Sequence, residues 1–221
     1  MSSTSVSTNR SPRRMDAGEE TAELPEVMRA SLYQVLARMF SSPLEMEDRH
    51  PRQLREIIPE MSAALQTASL EVAENWENGL INREALSVAY ARHFLGPFEI
   101  LTPPYASFYL EPDQRLMGRV SMQVARFYVD AGLEPGQGTH EAPDHVALEW
   151  EFMYFMTYQF LLTGDVAWVE QRERFFSTHL TRWMPSLAAA MKKTAENSFY
   201  YSVAKFLELI VRQDSKRVKA N

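Results

Sequence analysis

The chain has 221 residues, 45% apolar and 24% charged, the composition of an ordinary soluble globular protein long enough to bury a core without cross-links. A net charge of −6 argues against a broad nucleic-acid-binding surface. The absence of cysteine excludes disulfides, thiolate nucleophiles and cysteine-held zinc or iron–sulfur centres.

Only eight glycines stand against a glycine-turned β-protein, and the abundance of helix-forming residues predicts an all-α fold. The first 24 residues, rich in Ser, Thr and Arg, carry too little apolar surface to offset ordering and are expected to form a disordered tail. Within them, Ser11-Pro12-Arg13-Arg14-Met15 has the look of a twin-arginine export signal. Such a signal needs an apolar stretch of roughly 7–15 residues behind it, and Asp16-Ala17-Gly18-Glu19-Glu20 follows instead. The pair therefore reads as a solvated basic cluster.

Pro25, Met28, Leu32, Val35, Leu36 and Met39 predict a first helix stopped by Ser41-Ser42-Pro43. Leu54, Ile57 and Ile58 predict a short second helix ending near Pro59, and Leu70 to Asn78 a third, with Gly79 as a left-handed cap. A fourth spans Arg83 to Leu95, stopped by Gly96-Pro97. From Gly96 to Pro112 the chain holds Pro97, Pro103, Pro104 and Pro112 among Phe98, Tyr105, Phe108 and Tyr109. The stretch is expected to be irregular, pinned to the domain and lining a groove or partner surface. A helix over Asp113 to Ala131 with Leu116, Val120, Val124 and Phe127 inward precedes a loop from Leu133 to Pro143, the expected hinge. Asp144 to Thr163 reads as a central buried helix, since the apolar window Trp150 to Leu162 is shorter than the roughly 20 residues of a membrane span. Its aromatic side chains from Trp150 to Phe160 are expected in the core. Asp165 should cap the next helix, another runs near Thr181 to Thr194 and is broken early by Pro185, and a last one covers Ser198 to Gln213. The expected organisation is a tail over 1–24, one helical domain over 25–213 and a tail over 214–221. With neither export signal nor span, the chain is expected in the cytoplasm.

No P-loop, dinucleotide fingerprint, H-E-x-x-H or G-x-S-x-G motif occurs. The densest polar constellation is His140-Glu141-Ala142-Pro143-Asp144-His145 followed by Glu149. If a helix starts near Pro143, His145 and Glu149 are i, i+4 neighbours. Four readings are open: a metal site on His140, Asp144, His145 and Glu149; acid–base catalysis by His145; recognition of arginines on a peptide by the carboxylates; or a capped helix start without further role.

Gly96-Pro97-Phe98, then Pro103-Pro104-Tyr105-Ala106-Ser107-Phe108-Tyr109-Leu110, then Leu116-Met117-Gly118, then Glu141-Ala142-Pro143-Asp144-His145 resemble, in that order, the TorD/DmsD family of redox-enzyme maturation chaperones, related to NarJ. The similarity spans roughly Ala30 to Val211. It implies a TorD-like single-domain bundle of about ten helices with no catalytic activity. Members bind the twin-arginine signal peptide and apo form of a molybdenum-cofactor oxidoreductase of the DMSO/TMAO reductase type, delaying export until the cofactor is in place. Carried over by position, the peptide-contact region falls on Tyr90, His93, Phe98, Pro104, Tyr105, Ser107, Tyr109, Gly118, Asp144 and His145. Asp144 is the first choice to meet a partner arginine and Glu141 the second, while His93 stands where relatives often carry an apolar residue. Some members bind guanine nucleotide, for which this chain offers no phosphate-binding motif, and no cofactor or metal is expected. The family also forms domain-swapped homodimers beside monomers, with 133–143 as a suitable hinge. The competing reading is a metal- or nucleotide-dependent enzyme built on Asp144, His145 and Glu149.

Overall fold

Helix α1 (Glu26–Met39) starts directly behind Pro25, whose missing N–H is no loss ahead of a first turn. It buries Leu32, Tyr33, Val35, Leu36 and Met39. Helix α7 (Val146–Thr163) packs on it more extensively than any other two elements pack together. Arg38, late in α1, reaches Glu151, early in α7, at 3.5 Å. At the other end Arg172 bridges Glu26 and Thr157, so the two helices run antiparallel. Tyr33 stacks on Trp150 between them, centroids 5.5 Å apart.

The computed structural model describes residues 24–96, 100–134, 141–194 and 199–220. The expected N-terminal tail therefore lies, but for Leu24, outside the described residues, as does most of the expected hinge at 133–143. Around the central pair stand α2 (Arg49–Ile57), α3 (Ala63–Ile81), α4 (Arg83–Tyr90), α5 (Ala106–Leu110), α6 (Arg119–Asp130), α8 (Ala167–Phe175), α9 (Thr181–Thr194) and α10 (Phe199–Ala220). Ten α-helices and no strand among the described residues make the all-α bundle that the sequence predicts.

Several boundaries differ from those expected, each for a local reason. Helix α3 begins at Ala63 and runs through Gly79 to Ile81. Gly79 is not a left-handed cap: a Cβ there would lie 3.2 Å from Leu86 Cδ2, so the glycine makes room for α4. The proline-rich stretch is not wholly irregular, because no proline falls between Ala106 and Leu110, and that short run closes as α5. Helix α6 starts at Arg119 rather than Asp113. Gln114 and Met117 take φ of 54° and 59°, which no right-handed helix contains, and Leu116 is exposed instead of inward. Helix α7 starts at Val146 rather than Asp144 and is buried all round only in its first part; Tyr158, Leu161 and Leu162 are exposed. Asp165 is not the N-cap of α8, a position held by Val166; one residue earlier, it accepts from Ala167 N at 3.0 Å and closes the turn into the helix. Pro185 does not break α9, which follows a π turn at Phe176–Leu180 and runs through the proline from Thr181 to Thr194.

Residues 214–220 form no tail; α10 continues through them. Asp214 accepts from Arg29 Nη1 at 3.1 Å and from Tyr33 Oη at 2.8 Å, and Arg217 meets Glu173 at 2.6 Å. This cluster ties the last helix to the first at the end of α1 where Arg172 holds Glu26. The opposite end, where α7 begins, carries the residues that the sequence singled out.

Candidate functional site

Two non-helical segments cross at the start of α7. Val146 N donates to Pro104 O at 2.8 Å, Ala106 N donates to Asp144 O at 3.0 Å, and Tyr105 faces His145 in an antiparallel bridge. Proline explains why the first segment stays extended: Pro103 and Pro104 bar the preceding residues from helix, leaving the backbone free to pair across. Tyr128 of α6 donates its hydroxyl to Pro143 O at 2.7 Å and clamps the crossing from outside.

Asp144 is fully buried beneath this crossing. One carboxylate oxygen accepts from Ser107 N at 2.7 Å, the other from Ser121 Oγ at 2.6 Å. A buried carboxylate must have such donors, and here they come from α5 and α6, so Asp144 fixes both helices to the α7 start. Its expected place as first contact for a partner arginine is corrected by this burial: both oxygens face inward donors. The helix start is instead capped by His145, whose Nδ1 accepts from Ala147 N at 3.2 Å. Burial lowers the His145 pKa below its ordinary 6.5 against the opposing pull of Glu141 and Asp144. The imidazole is thereby kept neutral with its proton on Nε2, and it meets Tyr105 edge-on at 5.2 Å.

Glu141 lies at the surface, where its carboxylate accepts from Tyr105 Oη at 2.8 Å. Burial, then Glu141, raise the Tyr105 pKa. Tyr90 packs against Phe94 and Tyr200, and burial, then Glu141 and Glu45, push its pKa up to about 12. Tyr105 and Glu141 thus form a surface edge of phenol and carboxylate. Such an edge can take the planar, always-charged guanidinium group, with the carboxylate as acceptor and the aromatic face for stacking.

The other sequence-predicted residues lie around this edge or apart from it. Pro104 and Ser107 are buried at the crossing. Tyr109 is half-buried on α5 and stacks on Trp183 at 5.7 Å. Gly118 stands at the start of α6, where a Cβ would meet Glu111 Oε1 at 3.2 Å; that oxygen accepts from Val120 N and caps the helix. His93 turns inward against Phe94 and Tyr200 and meets Thr194 Oγ1 at 3.3 Å. Burial, then Arg92, lower its pKa. Phe98 and His140 lie outside the described residues.

The i, i+4 pairing of His145 with Glu149 that the metal reading uses is not formed. Glu149 is fully buried and points away from His145, to His179 Nε2 at 2.6 Å and Trp183 Nε1 at 3.0 Å. Among the described residues no group of three or more His, Asp or Glu is arranged to hold a metal ion. Sequence reasoning missed Ser121 and Tyr128, both distant in sequence from the Glu141–His145 box and marked by no motif.

Residues 47–189 match the family model described as nitrate reductase delta subunit. The chain is 27% identical over 207 residues to the chaperone protein TorD of Psychrobacter sp. (strain PRwf-1), covering 86% of this chain and 91% of the relative. To TorD of Vibrio parahaemolyticus it is 25% identical over 206 residues, covering 85% and 93%. To TorD of Escherichia coli (strain K12 / DH10B) it is 25% identical over 197 residues, covering 84% and 94%. A crystal structure from Archaeoglobus fulgidus, described as a redox enzyme maturation protein, superposes with a TM-score of 0.54 at 22% identity, covering 83% of this chain and 93% of that one. That last likeness is one of fold.

Proposed function

Because the chain belongs to the nitrate reductase delta subunit family, we propose that it is a redox-enzyme maturation chaperone and not a catalyst. Its clients are the twin-arginine signal peptide and apo catalytic subunit of a molybdenum-cofactor oxidoreductase of the DMSO/TMAO reductase type, held back from export until the cofactor is inserted. The reading needs no cofactor or metal on the chaperone itself, and it holds for a monomer and for a domain-swapped homodimer. It puts the chain in the cytoplasm, where an unexported client waits. No helix of the described residues is long and apolar enough to cross a membrane.

The observation that carries the reading is the surface bond between Tyr105 and Glu141. An arginine of the leader replaces the phenol hydroxyl as partner of Glu141 and exchanges a neutral hydrogen bond for a charge-assisted one. Apolar contact supplies the rest of the affinity, at about 25 cal/mol per Å² before ordering costs.

Calorimetric titration with a twin-arginine leader peptide, its Arg-to-Lys version and a scrambled control tests this. Saturable binding to the leader is expected, weakened roughly tenfold by Glu141→Gln and by the lysine peptide, and little changed by Asp144→Asn, whose side chain does not face the peptide. Absence of binding to several leaders by the wild-type protein would overturn the reading.

A further inference from the structure

The inner face of α6 carries Val120, Ser121, Val124 and Tyr128, all buried. Its outer face carries Arg119, Met122, Arg126 and Val129, all exposed. These four stand at i, i+3, i+7 and i+10 and so form one stripe, cation and apolar side chain alternating along the helix. Met122 is 72% exposed and Val129 56%. In the turn just before α6, Met117 is 66% exposed.

That turn is built rather than loose. Gln114 and Met117 both hold positive φ, a conformation that costs a non-glycine residue free energy and persists where its surroundings impose it. Glu111 imposes it by capping Val120 N at 2.7 Å, in space that Gly118 leaves open. An apolar side chain is thus presented outward by a fixed turn. Arg115, Arg119 and Arg126 form no ion pair among the described residues.

We propose that the outer face of α6 with Met117 is a docking surface for an acidic amphipathic helix of a partner protein. Carboxylates one heptad apart on such a helix meet Arg119 and Arg126, and its apolar side chains meet Met122 and Val129. A twin-arginine peptide is repelled here, so this surface serves a segment other than the leader. A wide anionic surface, membrane or nucleic acid, fits less well. The whole chain carries −6, and Asp113 and Asp130, exposed beside the stripe in sequence, oppose an extended plane of anionic charge.

Fluorescence anisotropy with a labelled designed helix of about 18 residues, long enough to hold its fold, tests the proposal. The helix carries Glu and Leu at heptad spacing; its Glu-to-Lys counterpart and vesicles of phosphatidylserine and phosphatidylcholine are run beside it. The acidic helix should bind saturably, at least about tenfold more weakly to the Arg119→Glu/Arg126→Glu protein and severalfold more weakly to Met122→Ser, with leader affinity unchanged in both variants. Equal binding of the acidic and basic helices, indifference to these substitutions, or binding to vesicles in preference to the helix would each overturn it. Because the leader is titrated separately, loss of one result leaves the other standing.

Discussion

Asp144 and Asp214 are both carboxylates withdrawn from water, one at each end of the α1–α7 pair, and their partners differ in kind. Asp214 is met by a guanidinium, Arg29, with Tyr33 on its second oxygen. Asp144 is met by a backbone N–H and a serine hydroxyl, both neutral. At the first site charge answers charge, and the strength of the contact depends on both staying ionised. At the second, directed donors answer a shape, and what matters is that two hydrogen bonds survive. The ionic end joins α1 to α10 and has no candidate functional role. The neutral end sets the crossing that holds Tyr105 and Glu141 at the surface with His145 buried behind them.

Replacing each aspartate by asparagine breaks this comparison if it is wrong. Asp214→Asn leaves Arg29, 2% exposed, with Glu26 at 3.3 Å as its remaining carboxylate partner among the described residues, and should cost about 3 kcal/mol. Urea unfolding at constant slope reads this as a lowered midpoint. A cost equal to that of the corresponding Asp144 variant would remove the distinction.

Asp144→Asn keeps an acceptor for Ser107 N and offers an amide donor to Ser121, whose hydroxyl can rotate to accept. It should cost about 1 kcal/mol or less, whereas Asp144→Ala strands both buried donors and should cost about 2–3 kcal/mol. The same urea series measures both. Large, equal losses from the two substitutions would mean that the charge of Asp144 matters in itself.

This difference was not legible in the sequence, and the reason is physical. Periodicity located most of the helices, because a buried face repeats every few residues whatever it packs against. It failed where a signal depends on a partner far along the chain. Gly79 looked like a cap because glycines end helices, but its role is set by Leu86. Pro185 looked like a break, but α9 continues through it with Trp183, Met184 and Leu187 buried on either side. Residues 214–220 looked like a polar tail, because Asp214 and Arg217 are polar until Arg29, Tyr33 and Glu173 are seen beside them. At the candidate site, motif order placed Tyr105, Glu141, Asp144 and His145 in one neighbourhood. Which carboxylate faces water was decided by Ser107 and Ser121, and no local pattern reports that. Glu149 was grouped with His145 by spacing alone, and the start of α7 past Asp144 sends it to the other side.

Glu149 sharpens the comparison as a third buried carboxylate, with one neutral donor, Trp183, and one titratable partner, His179. Burial pushes its pKa up to about 7; His179 opposes the rise, Asp144 adds to it, and the Trp183 hydrogen bond opposes it. The unfolded chain loses this proton near 4.5, so between that pH and about 7 the folded chain holds a proton that the unfolded chain has released. Stability contributed by Glu149 therefore falls as pH rises through this window and is level above it. His50, His93 and His145 act in the opposite sense. Burial lowers each below 6.5, so the unfolded chain takes up protons first and stability falls as pH drops below 6.5. Glu149→Gln removes only the first effect. Unfolding free energies of wild-type and variant protein, compared from about pH 5 to about pH 8, should show wild type losing ground to the variant up to about pH 7 and a constant difference beyond. A difference independent of pH would mean that Glu149 ionises in the fold as it does in the open chain. It would then belong with Asp214, as a charge held by its partner, and not between the two.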